Sequence, residues 1–334
     1  MIRIRMVILA SLVLLVASMS MGVWGQSITP TPAPTKTPVP ETTATPESTE
    51  EADITDNTSI TQPFTQTDLS VLTGNVQRPN GIQWFENFLY TACTGDWTLY
   101  RLQSNTGETI TYSYGVRSAH TLYVEDNGGI NLWIPDYDLD SIVRISRQGS
   151  PVTVVPDIPK PWGIAYLDET HFLVTSISDN AIYMVGRDGT SEVLLDGFRS
   201  PTGLVVTDDY VFVVNNGSSR RSIEWIDKAS LVAKEPVEAQ PLLSGVQNAT
   251  NLVLAGDGYL YFAYALGTRG LVGRVDPTVC IEKGGCTNDE FQIVIYTELA
   301  APLAGLTVSD DMRLFVHTIY RPEIYWVDLN KLNG

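Results

Sequence analysis

The chain has 334 residues, a net charge of −17 and 43% hydrophobic side chains. That is enough for one large core, and it is too acidic for nucleic acid or an anionic membrane surface to be the partner. Residues 1–25 carry +2 and residues 26–62 carry −5, so the acidity belongs to the body of the chain, which holds the remaining −14.

At the N-terminus, Arg3 and Arg5 precede the uncharged run from Met6 to Val23, and Val23-Trp24-Gly25 offers small residues for cleavage before Gln26. This is the layout of a secretory signal over residues 1–25. The run is also long enough to remain in a bilayer as an uncleaved anchor, and it is the one feature that points to a membrane. Residues 26–63 repeat Pro every second or third position among Thr, Ser and Glu. Such a segment builds no core and favours an extended polyproline-type spacer, either a stalk or a leader without a role of its own. The expectation is a secreted or extracytoplasmic protein, tethered to the cell surface if the first segment stays in place.

Residues 64–334 are a repeat. In Ile158 to Thr190 the runs Gly163 to Tyr166, Phe172 to Thr175 and Ala181 to Val185 alternate with Asp/Asn/Gly turns, and Glu192 to Leu195 follows as a fourth run. Short runs of β-branched, aromatic and aliphatic residues between tight turns predict antiparallel strands in a meander. The opening of the unit recurs as Pro79-Asn80-Gly81-Ile82, Ala119-His120-Thr121-Leu122, Pro161-Trp162-Gly163-Ile164, Pro201-Thr202-Gly203-Leu204, Ala249-Thr250-Asn251-Leu252 and Leu303-Ala304-Gly305-Leu306. The third residues are spaced 40, 42, 40, 48 and 54 apart, and the two long intervals hold insertions at Lys228 to Gln240 and Pro277 to Phe291. The fold class is therefore all-β, a six-bladed β-propeller of four-stranded antiparallel blades. The last copy stops after its third run, while Asp68 to Gly74 matches the fourth. The N-terminal strand is expected to complete the last blade and close the ring. The expected state is a monomer.

On Arg78 to Ile82, Leu132 to Tyr137 and Asn180 to Gly189, residues 64–334 resemble the NHL-type propellers and their gluconolactonase/paraoxonase-like and streptogramin-lyase-like relatives. The gluconolactonase-like resemblance implies a divalent metal, Ca²⁺ or Mg²⁺, held at the channel mouth just before the glycine-type position. Asn80 is the matching ligand type there. The streptogramin-lyase-like resemblance implies a rim histidine acting as base beside Mg²⁺, a place for His120 and, at the end of a second strand, His317.

From the meander itself, the loop opening each blade and the loop joining its second and third strands should share one face around the channel mouth, the default ligand site. Candidate ligand-binding residues on that face are Asn80, Trp162, Asp136, Asp138, Asn215, Arg220, Arg269, Tyr320 and Arg321. Blades one to three present mostly acids there and blades four to six arginines, an arrangement suited either to gripping a carboxylate or to solvated surface bridges. His171 falls on the opposite face, in a turn. Cys280 and Cys286, with five residues between them and no histidine nearby, predict a disulfide, which leaves Cys93 over. Two functions remain open. One is an exported module binding a small molecule, carbohydrate or protein at the channel mouth. The other is a metal-assisted lactone hydrolase or lyase working at the same place.

Overall fold

The computed structural model describes Gln62–Leu332. The chain divides into two units, Met1–Asn57 and Thr58–Gly334, and the described residues belong to the second. The signal-like segment and nearly all of the Thr/Pro-rich stretch lie outside the described residues.

Each repeat folds into one sheet. Blade 3 is Pro161–Tyr166, His171–Ser176, Ala181–Gly186 and Ser191–Leu195, paired antiparallel in sequence order. Blades 1, 2 and 4 follow the same order, blade 5 carries one extra strand, and six sheets in all are present among the described residues. Burial explains why the second strands read as nearly unbroken apolar runs: blades pack on both faces. In Leu260–Leu266 of blade 5, Leu260, Phe262 and Tyr264 join the core shared with blade 4. The alternate residues Tyr261 and Ala263 join the core shared with blade 6. The buried side chains form six such clusters, one for each seam between neighbouring blades. Stability is thus distributed around the ring, with no central core, and the axis is left free.

The repeated signature is the ring contact between blades. Its third residue lies against the backbone of the next blade: the Gly81 amide donates to Ala119 O at 2.8 Å, and the Gly203 amide to Thr250 O at 3.0 Å. A Cβ on Gly163 would meet Thr202 O and, at 2.6 Å, a methyl of Leu204. One on Gly305 would lie 3.0 Å from Asn80 O. Glycine is required by close approach here, not by an unusual backbone angle. Where the position is not glycine, the side chain makes the bond itself: Thr121 Oγ1 donates to Trp162 O at 2.7 Å and Asn251 Nδ2 to Ala304 O at 2.9 Å. In these two blades the inner strand starts late, as Tyr123–Asp126 and Leu252–Leu254, whereas it starts two residues before the glycine in the other four.

The ring closes as expected. Ser70–Thr73 pairs antiparallel with Ile324–Asp328 and supplies the outer strand of blade 6. Across the same seam Arg313 Nη1 donates to Ser104 O at 2.8 Å, and the Trp84 amide to Thr307 Oγ1 at 3.1 Å. One element was not expected: Phe64–Thr65 adds to blade 5, parallel to its outer strand Gln292–Ala300.

Both insertions begin with a short helix, which the strand periodicity did not indicate. Lys228–Ala233 is capped by Asp227, whose side chain accepts the Ser230 amide at 2.7 Å. Pro277–Glu282 is capped by Asp276, with Pro277 in the first turn. Asp before a helix start and Pro just inside it are the usual signals, present but outweighed by the β pattern around them. The second insertion also carries the disulfide between Cys280 and Cys286. Beyond it, Cys286 bonds back to blade 4, donating its amide to Leu242 O at 2.8 Å and accepting the Ser244 amide at 3.0 Å. Cys93 is free and buried, and burial pushes its thiol up to about 12.

Candidate functional site

Two kinds of loop share one face of the ring. The amide of Thr94 donates to Arg78 O at 3.1 Å, that of Ile177 to Lys160 O at 3.1 Å and that of Gly217 to Arg199 O at 2.9 Å. In each pair a loop between second and third strands is bonded to the loop opening the same blade. Side chains ending the second strands reinforce this. Asp136 is fully buried, and its carboxylate accepts the amides of Arg117, Ser118, Asp138 and Leu139 at 2.8–3.3 Å. Burial raises its pKa, opposed by those four amides. Asn215 Oδ1 accepts the Arg199 amide at 2.7 Å, and Thr318 Oγ1 donates to Ala300 O at 3.2 Å. These polar residues fix loop geometry, so Asp136 and Asn215 have most of their bonding capacity committed inside the protein.

His120 and Trp162 stack in parallel with centroids 3.3 Å apart, and Tyr137 meets the imidazole edge-on at 5.3 Å. Lys160 Nζ lies 4.7 Å from the Tyr137 ring centre. Burial lowers the His120 pKa from 6.5 to about 3, so its ring is neutral at physiological pH and a poor proton acceptor. His317, expected near the mouth, is fully buried instead, with its Nε2 against Gly305. Burial lowers its pKa to about 3 as well, and neither ring nitrogen has a partner among the described residues. His171, expected in the turn between first and second strands, instead opens the second strand of blade 3, with its amide donating to Asp168 Oδ1 at 2.9 Å.

Asn80 is 3% exposed, and the residues at the equivalent positions are His120, Trp162, Thr202, Thr250 and Ala304. Among the described residues no three His, Cys, Asp or Glu side chains come together as a metal site. Ca²⁺ takes six to eight oxygens, and Mg²⁺ an octahedron usually built on carboxylates. One amide oxygen among rings, hydroxyls and a methyl does not fit either ion. The Asp136 to Asp140 stretch is a turn held by its own backbone, in which Asp138 is exposed and Asp140 pairs with Lys160 at 3.6 Å.

The main cavity, about 550 Å³, runs along the axis. Its walls are the inner strands from the level of His120, Gly203, Asn251 and Gly305 down to the turns between first and second strands. At that lower end Trp84, Tyr123, Tyr166, Val206, Leu254 and Val308 surround it, with Asp310 beside them. Tyr123 and Tyr166 lie side by side, with centroids 6.0 Å apart. Of the residues singled out in the sequence, only His120 lines this cavity. The expected loops do not reach it, because the second signature residues turn their carbonyls into the ring contact above it. The lining residues were legible as strand residues but looked like ordinary blade packing.

The other candidates lie apart from the axis. Arg269 lies with its guanidinium 5.5 Å from the Tyr296 ring centre, and Tyr320 and Arg321 are exposed. Asn215 and Arg220 line a separate hollow of about 460 Å³ beside the loop of blade 4.

Neither a family model nor a curated protein matches the sequence. Solved structures do. A streptogramin B lyase aligns at 16% identity with a TM-score of 0.57, over 77% of this chain and 96% of that one. The chain is a six-bladed propeller with a streptogramin-lyase-like fold. A virginiamycin B lyase from Staphylococcus aureus aligns at 15% identity and a TM-score of 0.51, over 75% of this chain and 81% of that one. The structure of a nidogen/laminin complex aligns at 15% identity and a TM-score of 0.51, over 66% of this chain and 84% of that one. At these identities the likeness is one of fold, a scaffold that carries many functions.

Proposed function

We propose that this chain is an exported binding module that takes a small ligand with a ring or hydrocarbon face into its axial channel. The observation that carries this is the composition of the channel. It is walled by strand backbone with aliphatic and aromatic side chains and the polar Gln83, Thr121, Asn251 and Thr307, and its ionisable groups other than tyrosine are His120, which burial holds neutral, and Asp310. A concave cavity in which aliphatic and aromatic side chains alternate with a few polar groups suits binding. Aromatic side chains at its lower end favour a ligand with a flat ring or hydrocarbon face. Export is supported by the signal-like start of the sequence and by the disulfide, a bond that persists in oxidising compartments.

The rival reading, a metal-assisted hydrolase or lyase, needs metal-ligating side chains gathered at the opening-loop mouth, and among the described residues no three His, Cys, Asp or Glu side chains gather there. Tryptophan fluorescence tests the channel. Titration with ring-bearing apolar compounds should change the emission saturably, and Trp84→Ala should remove that signal and weaken affinity about 10-fold, or ~1.4 kcal/mol. Binding with undiminished affinity in Trp84→Ala, measured by calorimetry, would place the ligand elsewhere. Binding that depends on added Ca²⁺ or Mg²⁺ would favour the enzyme.

A further inference from the structure

The hollow on blade 4 has a chemistry unlike the channel. Its lining includes Arg199 from the loop opening the blade and Ser218, Ser219, Arg220 and Arg221 from the loop between second and third strands, with Glu224 at its base. Glu224 is only 2% exposed, and both its partners are fixed. Asn215 Nδ2 donates to it at 2.8 Å, and Arg221 forms an ion pair with it. The loop is held in shape before any ligand arrives. The Ser218 amide donates to Asn215 O at 3.0 Å, the Arg221 amide to Ser218 Oγ at 3.2 Å, and Ser219 O accepts the Gly245 amide at 2.7 Å. With Arg221 neutralised by Glu224, the guanidinium groups of Arg199 and Arg220 remain. Both residues are exposed, and neither guanidinium has a hydrogen bond or ion pair among the described residues.

Two uncompensated guanidinium groups at one polar hollow are unexpected on a chain of net charge −17, where a surface arginine would ordinarily find a carboxylate. Guanidinium presents a planar fork of donors matched to carboxylate and phosphate oxygens. The rest of the lining is hydroxyl, amide and backbone, which suits a hydroxylated solute better than an apolar one. We infer that this hollow is a second ligand site, distinct from the channel, for a hexose-sized solute bearing an oxyanion. Arg199 and Arg220 grip the anionic group, and the hydroxyls of Ser218 and Ser219 face the hydroxyl-bearing remainder.

The shared chemistry is the oxyanion, and calorimetric titrations with glucuronate and with glucose 6-phosphate distinguish a carboxylate from a phosphate source. Saturable binding of at least one is expected, with neutral glucose inert. Arg199→Ala and Arg220→Ala should each weaken that binding 10-fold or more. Arg220→Lys, which keeps the charge and loses the fork, should fall between. Melting temperatures of the variants should match the parent, because neither guanidinium is bonded within the fold. Failure of both anions to bind, equal binding of glucose, or unchanged affinity in both alanine variants would overturn the inference. None of these outcomes bears on the channel, whose own probes are apolar.

Discussion

The two ends of the axial channel come from one repeat yet differ in kind. At the opening-loop end, backbone carbonyls turn into the ring contact, the buried His317 stands behind them, and polar side chains are spent on loop geometry. At the turn end the inner strands simply stop, and their last side chains, Trp84, Tyr166 and Leu254 among them, are left around the cavity. The comparison teaches that the residues marking the repeat most clearly build the ring and the upper wall of the cavity, while its lower end falls to residues that vary from blade to blade. One end is architecture and the other is available for a ligand.

Loss of the ring is the strongest way to break this comparison. Deleting residues 64–74 removes the outer strand of blade 6 and should abolish the cooperative melting transition and binding at either end. A truncated chain that melts like the parent would show that closure does not rest on this strand. Next, Gly163→Val drives a side chain into the Thr202 carbonyl at the opening-loop end. It should cost about 3 kcal/mol, with the melting temperature falling by roughly 8 °C. The buried His317 makes a finer test. The folded pKa of His317 lies below its unfolded value of 6.5, near 3, so the unfolded chain binds a proton in that window that the folded chain refuses. The resulting stability is present above pH 6.5 and is lost as pH falls toward 3, by about 2 kcal/mol at pH 5. Urea midpoints measured from pH 7 to 5 should therefore decline less in His317→Leu than in the parent.

Removing the disulfide with Cys280→Ser and Cys286→Ser together should cost about 2 kcal/mol, the value for so short a loop. It should leave ligand binding in the channel unchanged, since the disulfide lies in the insertion between the third and fourth strands of blade 5, away from the residues that line the channel. At the turn end, Tyr166→Ala should leave the melting temperature within about 1 °C, because Tyr166 is 36% exposed. It should still weaken apolar ligands about 3-fold. A large loss of stability there would mean that the turn end is architecture too.

How much of this was legible follows from the same contrast. The blade count, the insertions and the closing strand could be read from the spacing of Gly81, Gly163, Gly203 and Gly305, because close approach of backbones leaves few residues to choose from. The site was less legible. Asp136 and Asn215 look like ligand-binding residues in sequence, but four-fold and two-fold internal bonding makes them staples. His317 is displaced from the rim by its place in the strand, which packs it under Gly305. Trp84 and Tyr166 carry no mark separating a residue that lines a cavity from one that packs a seam. Nor could spacing reveal that Arg220 is joined by Arg199 while Arg269 lies elsewhere, since that depends on how two loops of one blade are tied.

The two-residue strand Phe64–Thr65 has a mechanical consequence. It pairs with the outer strand of blade 5, the short turn Gln66–Asp68 follows, and only then does Ser70–Thr73 enter blade 6. The turn is itself held, with the Thr65 amide donating to Asp68 at 2.7 Å and Gln66 accepting the Glu298 amide at 3.2 Å. Tension on the chain ahead of Phe64 must strip this clasp from blade 5 before it loads the strand that closes the ring. The arrangement works as the strain relief on a cable does: a pull on the chain ahead of Phe64 is spent on a contact the ring can lose and remake.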